Sequence, residues 1–124
     1  MSGLAIELES TDSAPHEARE TIRAGLGERL PAVTLYDLLT VVSELVANGV
    51  IYGDGEKVYV RVDVEPDGRV TGEVSNDGQG EVRMRQADVV RDTGLGLRIV
   101  AALVERWRVK VTDATRVWFE LRSP

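Results

Sequence analysis

The chain has 124 residues, 43% of them hydrophobic, which fits one domain with a single packed core. Its 21 acidic and 15 basic residues give a formal net charge of −6, which argues against a nucleic-acid partner, because phosphate backbones are bound by clustered Lys and Arg. It has no cysteine and one histidine, which excludes disulfides and thiolate metal sites.

The N-terminal segment predicts a strand and a helix. Apolar residues alternate with small or charged ones over residues 4–10, the period-two pattern of a half-buried strand. Ser13 can cap a helix whose first turn holds Pro15, where a missing N–H costs nothing. An apolar stripe at helical spacing continues to about Leu30, so the helix is expected to end near Pro31.

The second predicted helix has the longest helical pattern. Thr34, with Asp37 three residues later, resembles a capping box in which Asp replaces the usual Glu. Apolar residues then keep the helical period for about sixteen residues, up to Val50. Within this run Glu44 and Asn48 are four residues apart, so a helix places both polar side chains on one face. Side chains that point the same way can serve one ligand.

Two strands joined by a turn follow this helix. Valines at every second position of residues 57–65 indicate a strand with one buried and one solvent-exposed face. The Pro-Asp-Gly sequence at 66–68 predicts a turn into an antiparallel strand over 69–76. The period of two directs Asn76 towards the core, at the end of an apolar row.

The last third predicts a loop, a helix and a hairpin. Residues 77–93 have glycines at their start, scattered charge and no clean period, which is typical of a loop. Residues 96–107 are predicted to be helical, and apolar alternation on both sides of a turn at 112–115 predicts a closing hairpin. This order of elements predicts an α+β fold, a two-layer sandwich of helices on one face of a mixed, mainly antiparallel sheet.

Three chemical features coincide in this arrangement. Glu44 and Asn48 lie on the second helix, the sequence NDGQG (76–80) ends an inner strand, and TGLG (93–96) opens the third long helix. Glycines at a strand end let the backbone approach a flat ligand, and a helix N-terminus offers free N–H groups and a positive dipole end to phosphates. Together the three features predict a nucleotide pocket.

These motifs resemble the ATPase superfamily that unites gyrase-type topoisomerases, heat-shock chaperones, histidine kinases and mismatch-repair proteins, whose ATP-binding domain has the Bergerat-type fold. Within it, the chain is most similar to the small anti-sigma-factor serine/threonine kinases. The resemblance runs almost end to end, as a single domain over 1–124, and is carried by APHEARETIRAGL, the E-x-x-x-N box, NDGQG, TGLGLRIV and VWFEL in that order. Each motif alone is weak evidence, but the ordered set is specific.

The resemblance implies ATP and Mg²⁺ as cofactors and assigns roles to residues. Glu44 corresponds to the general base that activates an attacking hydroxyl, and Asn48 would bind Mg²⁺ together with phosphates and waters. The segment 81–93 would be the lid over ATP. The other implied contacts are Asn76, Gly78 and Gly80 at the adenine, and Gly94, Leu95 and Gly96, whose backbone N–H groups would face the phosphates.

The chain departs from the family's pattern at three positions. The family motif is D-x-G-x-G, whose first Asp accepts a hydrogen bond from the adenine amino group, but here that position is Asn76. Asn can still accept from the amino group and donate to the neighbouring ring nitrogen. Arg116 stands where a threonine often helps to bind adenine, and Tyr52 stands where many relatives have histidine. These changes bear on catalysis more than on the fold.

Blander interpretations exist for each motif. Glu44 and Asn48 could lie on a solvated helix face, and residues 76–80 could form a plain turn. The glycine-rich helix start also resembles a dinucleotide-binding motif, but Ile99 occupies the third glycine position. His16 is better explained as a solvated residue than as a phosphoacceptor.

The resemblance implies an ATP-binding regulatory protein that binds a sigma factor or an anti-sigma antagonist; whether it also phosphorylates Ser or Thr on the antagonist stays open. One alternative is a non-catalytic interaction module with a degenerate nucleotide pocket, and another is a phosphodonor for a histidine-bearing protein. Relatives often dimerise, so a homodimer through the exposed sheet face or the first strand is possible. No apolar run approaches the roughly 20 residues that span a bilayer, so a cytoplasmic protein is expected.

Overall fold

The computed structural model describes residues 2–52, 55–76, 95–111 and 115–122 of the chain. These residues form five strands and three helices. In chain order the elements are β1 (Ser2–Glu9), α1 (Ala14–Leu26), α2 (Ala32–Tyr52), β2 (Lys57–Val64), β3 (Val70–Asn76), α3 (Leu95–Leu103), β4 (Val104–Val111) and β5 (Thr115–Leu121).

The strands form one sheet in the order β1-β2-β3-β5-β4. All pairings between the described strands are antiparallel, so the predicted mixed sheet is purely antiparallel in this part of the chain. One row of cross-strand partners runs across the whole sheet and consists of Ile6, Val60, Val74, Val117 and Val109. This apolar row shows that the valine periodicity sets the register, because a slip of one residue would turn each side chain to the other face.

The three helices cover one face of the sheet, and the core lies between the two layers. α1 buries an apolar stripe at helical spacing, which consists of Ala14, Ala18, Ile22 and Leu26. Among the described helices, α2 buries the longest apolar face. The sheet contributes the inward-facing valines of its strands and Phe119, which is fully buried, to this core. The opposite sheet face carries charged residues, among them Arg61, Glu73 and Arg116. The predicted two-layer α+β sandwich is therefore confirmed.

The prediction that no apolar run approaches the length of a bilayer span was wrong for the long helix α2. From Ala32 to Ile51 it is long and apolar enough, by length and composition, to cross a membrane. Half of this segment is buried within the fold, so its length and composition alone are weak evidence for a membrane span. The apolar face of α2 is thus accounted for by its packing against α1 and the sheet.

Two helix boundaries differ from the predictions. α1 ends at Leu26, short of Pro31. α2 begins at Ala32, so Thr34 lies inside its first turn and is not its N-cap. The N–H of Leu35 donates to the carbonyl of Pro31 at 2.9 Å, which closes that first turn. The predicted capping box was therefore wrong, because the carbonyl of Pro31, three residues before Thr34, accepts the hydrogen bond that closes the first turn.

The boundary between α3 and β4 also differs. The sequence predicted a helix over 96–107, but α3 ends at Leu103 and the chain continues directly as β4. Val104 is buried and pairs with Leu121 of β5, and Trp107 packs against the core from β4. Because β-branched and aromatic side chains fit a pleated surface, pairing with β5 overrides the helical period here.

Candidate functional site

Three of the four buried polar side chains in the described part of the chain lie at one end of the fold. The four residues are Thr34, Asn48, Asn76 and Thr115, with 7, 4, 6 and 5% of their surface exposed. Thr34 lies in the first turn of α2 and Asn48 lies fourteen positions later, a distance of about 21 Å along the helix axis. The other three polar residues gather at the end of the sheet that lies below the C-terminal part of α2.

Asn76 ends β3 with its side chain on the core face. Alternate residues of β3 are buried from Val70 to Asn76, which confirms the predicted inward direction of Asn76. Its cross-strand partner on β2 is Val58. A strand's last inward-facing position is therefore polar, although the positions before it are apolar or glycine.

Asn48 lies close to this strand end. A Cβ atom on its neighbour Gly49 would be 3.7 Å from both methyl groups of Val58, so α2 crosses the sheet where Val58 pairs with Asn76. Asn48 is itself buried, with 4% of its surface exposed.

The amide nitrogen of Asn48 is buried without a hydrogen-bond partner among the residues that the structure describes. Buried side-chain donors are nearly always bonded, and leaving one unsatisfied costs about 1–3 kcal/mol. A ligand that brings oxygen acceptors would satisfy this donor. The unpartnered amide is therefore the clearest sign of a binding site in the described part of the fold.

Glu44 lies one helical turn before Asn48 on α2 and is half-buried. The spacing of four places both side chains on one face, while Leu45 and Val46 beside them lie in the core. No ion pair involves Glu44 within the described ranges. A carboxylate in this setting is available to a ligand or to a reacting hydroxyl.

Thr115, and not Arg116, faces the core at the start of β5. Arg116 is exposed on the outer sheet face, where its Nη1 donates to Glu73 Oε1 at 3.3 Å. Ser75 pairs with Arg116, so one step further along the two antiparallel strands Asn76 and Thr115 are neighbours on the core face. A side chain that contacts a ligand from the core face at the start of β5 is therefore that of Thr115 and not that of Arg116.

Sequence reasoning missed Thr115 although a signal for it was present. The apolar residues that alternate along this strand are Val117, Phe119 and Leu121, and all three are buried. Counting back two positions from Val117 gives Thr115, which the period of two places on the same face.

α3 packs against α2, the helix that carries Glu44 and Asn48. It begins at Leu95, as the glycine-rich motif predicted. It leads directly into β4 at Val104, which pairs with Leu121 at the far end of β5 from Thr115. Free N–H groups and the positive dipole end at the N-terminus of α3 suit an anion.

The remaining predicted site residues are only partly described. Leu95 and Gly96 belong to α3, and the structure describes only their backbone. The positions outside the described residues are Gly78, Gly80, Gly94 and the predicted lid at 81–93.

The side chains at this site do not form a metal centre by themselves. Within the described ranges, no group of three or more His, Cys, Asp or Glu residues could hold a metal ion. Mg²⁺ usually keeps several waters and shares its remaining positions between one or two protein oxygens and substrate phosphates. Asn48 with Glu44 nearby therefore fits magnesium only in company with a phosphate-bearing ligand.

A surface concavity of about 500 Å³ lies elsewhere, on the outer sheet face. Its walls carry Arg61 and Arg116, which both approach Glu73, at 3.8 and 3.3 Å. With Glu7 on the same wall, the lining has two acidic and two basic side chains and so no net charge, and it contains neither Glu44, Asn48 nor Asn76. We therefore assign the candidate site to the polar end of the core and not to this face.

The fold is similar to two solved structures. With the crystal structure of the RsbU and RsbW domains of Rv1364c from Mycobacterium tuberculosis, the TM-score is 0.76 at 24% identity over 98% of this chain. With the histidine kinase domain of the Erythrobacter litoralis EL346 blue-light activated histidine kinase, the TM-score is 0.60 at 20% identity over 88% of this chain. The chain covers 32% of the first structure's chain and 59% of the second's, so the similarity concerns the fold of one part of each.

Comparison with curated proteins finds no match. Residues 35–124, nearly three quarters of the chain, match the sequence model of the family described as "Histidine kinase-, DNA gyrase B-, and HSP90-like ATPase". The matched range contains Glu44, Asn48, Asn76 and Thr115, and the resemblance to the Bergerat-type ATPases is thereby confirmed. The chain belongs to the histidine kinase-, DNA gyrase B- and HSP90-like ATPase family.

Proposed function

We propose that this chain binds ATP with Mg²⁺ at the polar end of its core and acts as a regulatory protein of the anti-sigma-factor serine/threonine kinase type. The observation that carries the proposal is the buried, unpartnered amide of Asn48, which lies at the same end of the fold as Asn76 and Thr115. Membership in an ATPase family and the similarity to a structure that contains an RsbW domain support it.

Asn76 and Thr115 would hold the adenine. The carbonyl of Asn76 can accept from the exocyclic amino group, and its NH₂ can donate to the neighbouring ring nitrogen. The Thr115 hydroxyl adds one donor and two acceptors beside it. Both side chains are buried and on adjacent strands, so they define one polar spot at the edge of an apolar core. Gly78 and Gly80 would let the backbone lie close to the base.

Asn48 and the N-terminus of α3 would hold the phosphates and the metal. The Asn48 carbonyl is a suitable oxygen ligand for Mg²⁺, and its NH₂ group can donate to a phosphate oxygen. Backbone N–H groups of Gly94, Leu95 and Gly96 would face the other phosphate oxygens. When bound, MgATP supplies the transferable phosphoryl group. The segment 81–93 would close over it as a lid.

Glu44 would act as the general base. Its carboxylate, one turn from Asn48, can take the proton of a Ser or Thr hydroxyl that attacks the phosphorus. The hydroxyl would belong to an anti-sigma antagonist, while a sigma factor is the other protein partner that we propose. We place the protein in the cytoplasm, acting on proteins and not on nucleic acid or membranes. The homodimer that the family resemblance implies stays a prediction.

Calorimetric titration with ATP and ADP, with and without Mg²⁺, tests the pocket. The natural protein is expected to bind in the micromolar range, and Asn48→Ala is expected to lose the Mg²⁺ dependence. Thr34→Ala is the matched control, because it removes an equally buried polar group at the other end of the same helix. Absence of binding by the natural protein up to millimolar nucleotide would overturn the proposal.

Phosphoryl transfer needs a separate experiment, with radiolabelled ATP and the candidate antagonist. Acid-stable label on the antagonist is expected, and Glu44→Ala should abolish transfer while ATP binding is kept. Transfer that persists in Glu44→Ala would remove Glu44 as the base. Acid-labile label would instead indicate a phosphodonor for a histidine-bearing protein.

The amide at Asn76 favours a second candidate function, a non-catalytic interaction module. The family's carboxylate is absent at this position, so adenine would be held without a charge-assisted hydrogen bond. If the chain is such a module, we expect that ATP leaves its melting temperature unchanged and that its affinity for a protein partner is the same with and without nucleotide.

A further inference from the structure

The outer face of β4 carries a row of cationic side chains. Arg106, Arg108 and Lys110 occupy every second position and are exposed, and Arg116 of β5 is the cross-strand partner of Lys110. The formal net charge of the chain is −6, so overall composition does not explain such a row. On the other face of β4, the side chains of Trp107 and Val109 are half-buried and pack against the core.

The cations of this row are only partly neutralised within the chain. Arg106 Nε lies 3.6 Å from Glu120 Oε1. Arg108 has its guanidinium over the ring of Trp118, 4.8 Å from the ring centroid, which is a cation–π contact and not an ion pair. Neither Arg108 nor Lys110 forms an ion pair with any residue in the described part of the chain. The row therefore presents net positive charge to a partner.

β4 is also the last strand of the sheet. Among the described strands it pairs on one side only, with β5. An edge strand offers backbone N–H and C=O groups that an extended segment can bind as an added strand. The β4 edge thus combines open backbone groups, cations on one face and half-buried apolar side chains on the other.

We propose that the β4 edge binds an extended acidic segment of a protein partner, which adds to the sheet as a sixth strand. Side chains of an added strand that lie on the outer face recur at every second position, with Cβ atoms about 4.5–5.5 Å from those of their cross-strand partners. Acidic residues at alternate positions would therefore face Arg106, Arg108 and Lys110. Apolar residues between them would cover Trp107 and Val109.

A second copy of this chain is a poorer occupant. Two β4 edges would place cations opposite cations, which is destabilising. β1 does alternate acidic and apolar residues, but Lys57 Nζ already lies 3.5 Å from Glu7 Oε2 and 2.6 Å from Glu9 Oε1. A contact between β1 of one copy and β4 of the next would also be head-to-tail and would leave both ends open to further addition. Charge and symmetry therefore favour a different protein.

Two labelled peptides of identical composition test the proposal by fluorescence anisotropy with the full chain. In one peptide Glu alternates with Val; in the other the same residues are grouped in blocks. The alternating peptide is expected to bind saturably and at least tenfold more tightly than the blocked peptide. The double variant R108A/K110A should weaken binding of the alternating peptide at least tenfold. The control R61A/R69A removes one cation of β2 and one of the turn between β2 and β3, and should bind like the natural protein.

A second measurement reports strand addition directly. The chain has two tryptophans, so Trp118→Phe leaves Trp107 as the single reporter. Covering the half-buried Trp107 with an added strand should shift its emission to shorter wavelength when the alternating peptide binds. The blocked peptide should give no shift.

Other outcomes would overturn the proposal. Equal affinity for both peptides would mean that charge alone attracts them, and absence of saturable binding would mean that the cations only deter edge-to-edge pairing. Tighter binding of single-stranded RNA than of the peptide would indicate nucleic acid as the occupant. Self-association that R108A/K110A abolishes, measured by sedimentation, would indicate a second copy. Asn48→Ala should bind the alternating peptide normally, so failure here is distinguishable from failure of the nucleotide site.

Discussion

The ring of Phe119 on β5 lies against Gly72, its cross-strand partner on β3. A Cβ atom at Gly72 would meet the Phe119 ring, with Cε1 at 2.6 Å, and the Arg61 carbonyl oxygen at 3.1 Å. Phe119 is the one phenylalanine of the chain and is fully buried. Glycine at this position therefore makes room for the largest side chain of the core.

We expect Gly72→Ala to destabilise the protein by about 1–3 kcal/mol, because the ring or the strand must move to admit the methyl group. The free energy of unfolding in urea measures this loss. Thr71→Ala, on the outer face of the same strand, is the control and should change stability by less. Adding Phe119→Leu to Gly72→Ala should recover part of the loss. Strict additivity of the two changes would mean that the ring and the glycine are not coupled.

Asn48→Leu is expected to stabilise the protein without nucleotide while it abolishes ATP binding. Leucine has a similar volume and no donor, so it removes the unsatisfied amide and should raise the free energy of unfolding by about 1 kcal/mol. Thermal denaturation with and without MgATP measures both effects. A less stable variant would mean that the amide is satisfied in the free protein.

The strands and the orientation of their side chains could be predicted because the valine alternation is regular. β2 and β3 form the predicted hairpin, and Gly68, with φ of +91°, occupies its turn. Asn76 faces the core for the same reason. For β1, β2 and β3 the predicted and observed bounds agree to within one or two residues.

The α3–β4 boundary could not be predicted in this way, since Val104 and Trp107 fit the helical period of the residues before them. Only the long-range pairing with β5 decides that they form a strand. The proximity of Asn48 to Asn76 is also tertiary, because it depends on where α2 crosses the sheet at Gly49 and Val58. Nothing local to either segment encodes that crossing.

Thr115→Val should lower ATP affinity, whereas Arg116→Ala should leave it unchanged. Thr115 is buried beside Asn76, but Arg116 points to the outer face and pairs with Glu73. Loss of one neutral hydrogen bond of about 0.5–1.5 kcal/mol corresponds to a two- to twelvefold weaker affinity. Calorimetric titration of both variants measures it. If Arg116→Ala weakened ATP affinity more than Thr115→Val, the adenine contact would belong to Arg116 and not to Thr115.

Lys57 predicts a change of stability at high pH. Its hydrogen bond to Glu9 raises the pKa of the Lys57 ammonium above its ordinary value of 10.5. Because the pKa is higher in the folded state, the stabilisation is complete below the unfolded-state value and is lost as the pH rises through the folded-state value. The difference in melting temperature between the natural protein and Lys57→Gln should therefore be constant at neutral pH and shrink above pH 10.5.

Arg69→Gln is the control for Lys57, because Arg69 Nη2 lies 3.6 Å from Asp67 Oδ2 and a guanidinium stays protonated. Its effect on the melting temperature should be the same at neutral pH and above pH 10.5. A parallel decline for both variants would point to general alkaline unfolding and not to the Lys57 ammonium.

Asn76→Asp decides whether the pocket is intact or degenerate. A carboxylate at this position would accept a charge-assisted hydrogen bond from the adenine amino group, and a gain of about 1.4 kcal/mol would tighten ATP binding tenfold. Ser75→Asp, on the outer face of the same strand, adds the same charge away from the site and should leave the affinity unchanged. A tenfold gain for Asn76→Asp alone would show that only this amide weakens adenine recognition. If the natural protein binds ATP, no gain would mean that Asn76 already makes both of its hydrogen bonds to adenine. If the natural protein does not bind ATP, no gain would mean that the pocket has lost more than one contact.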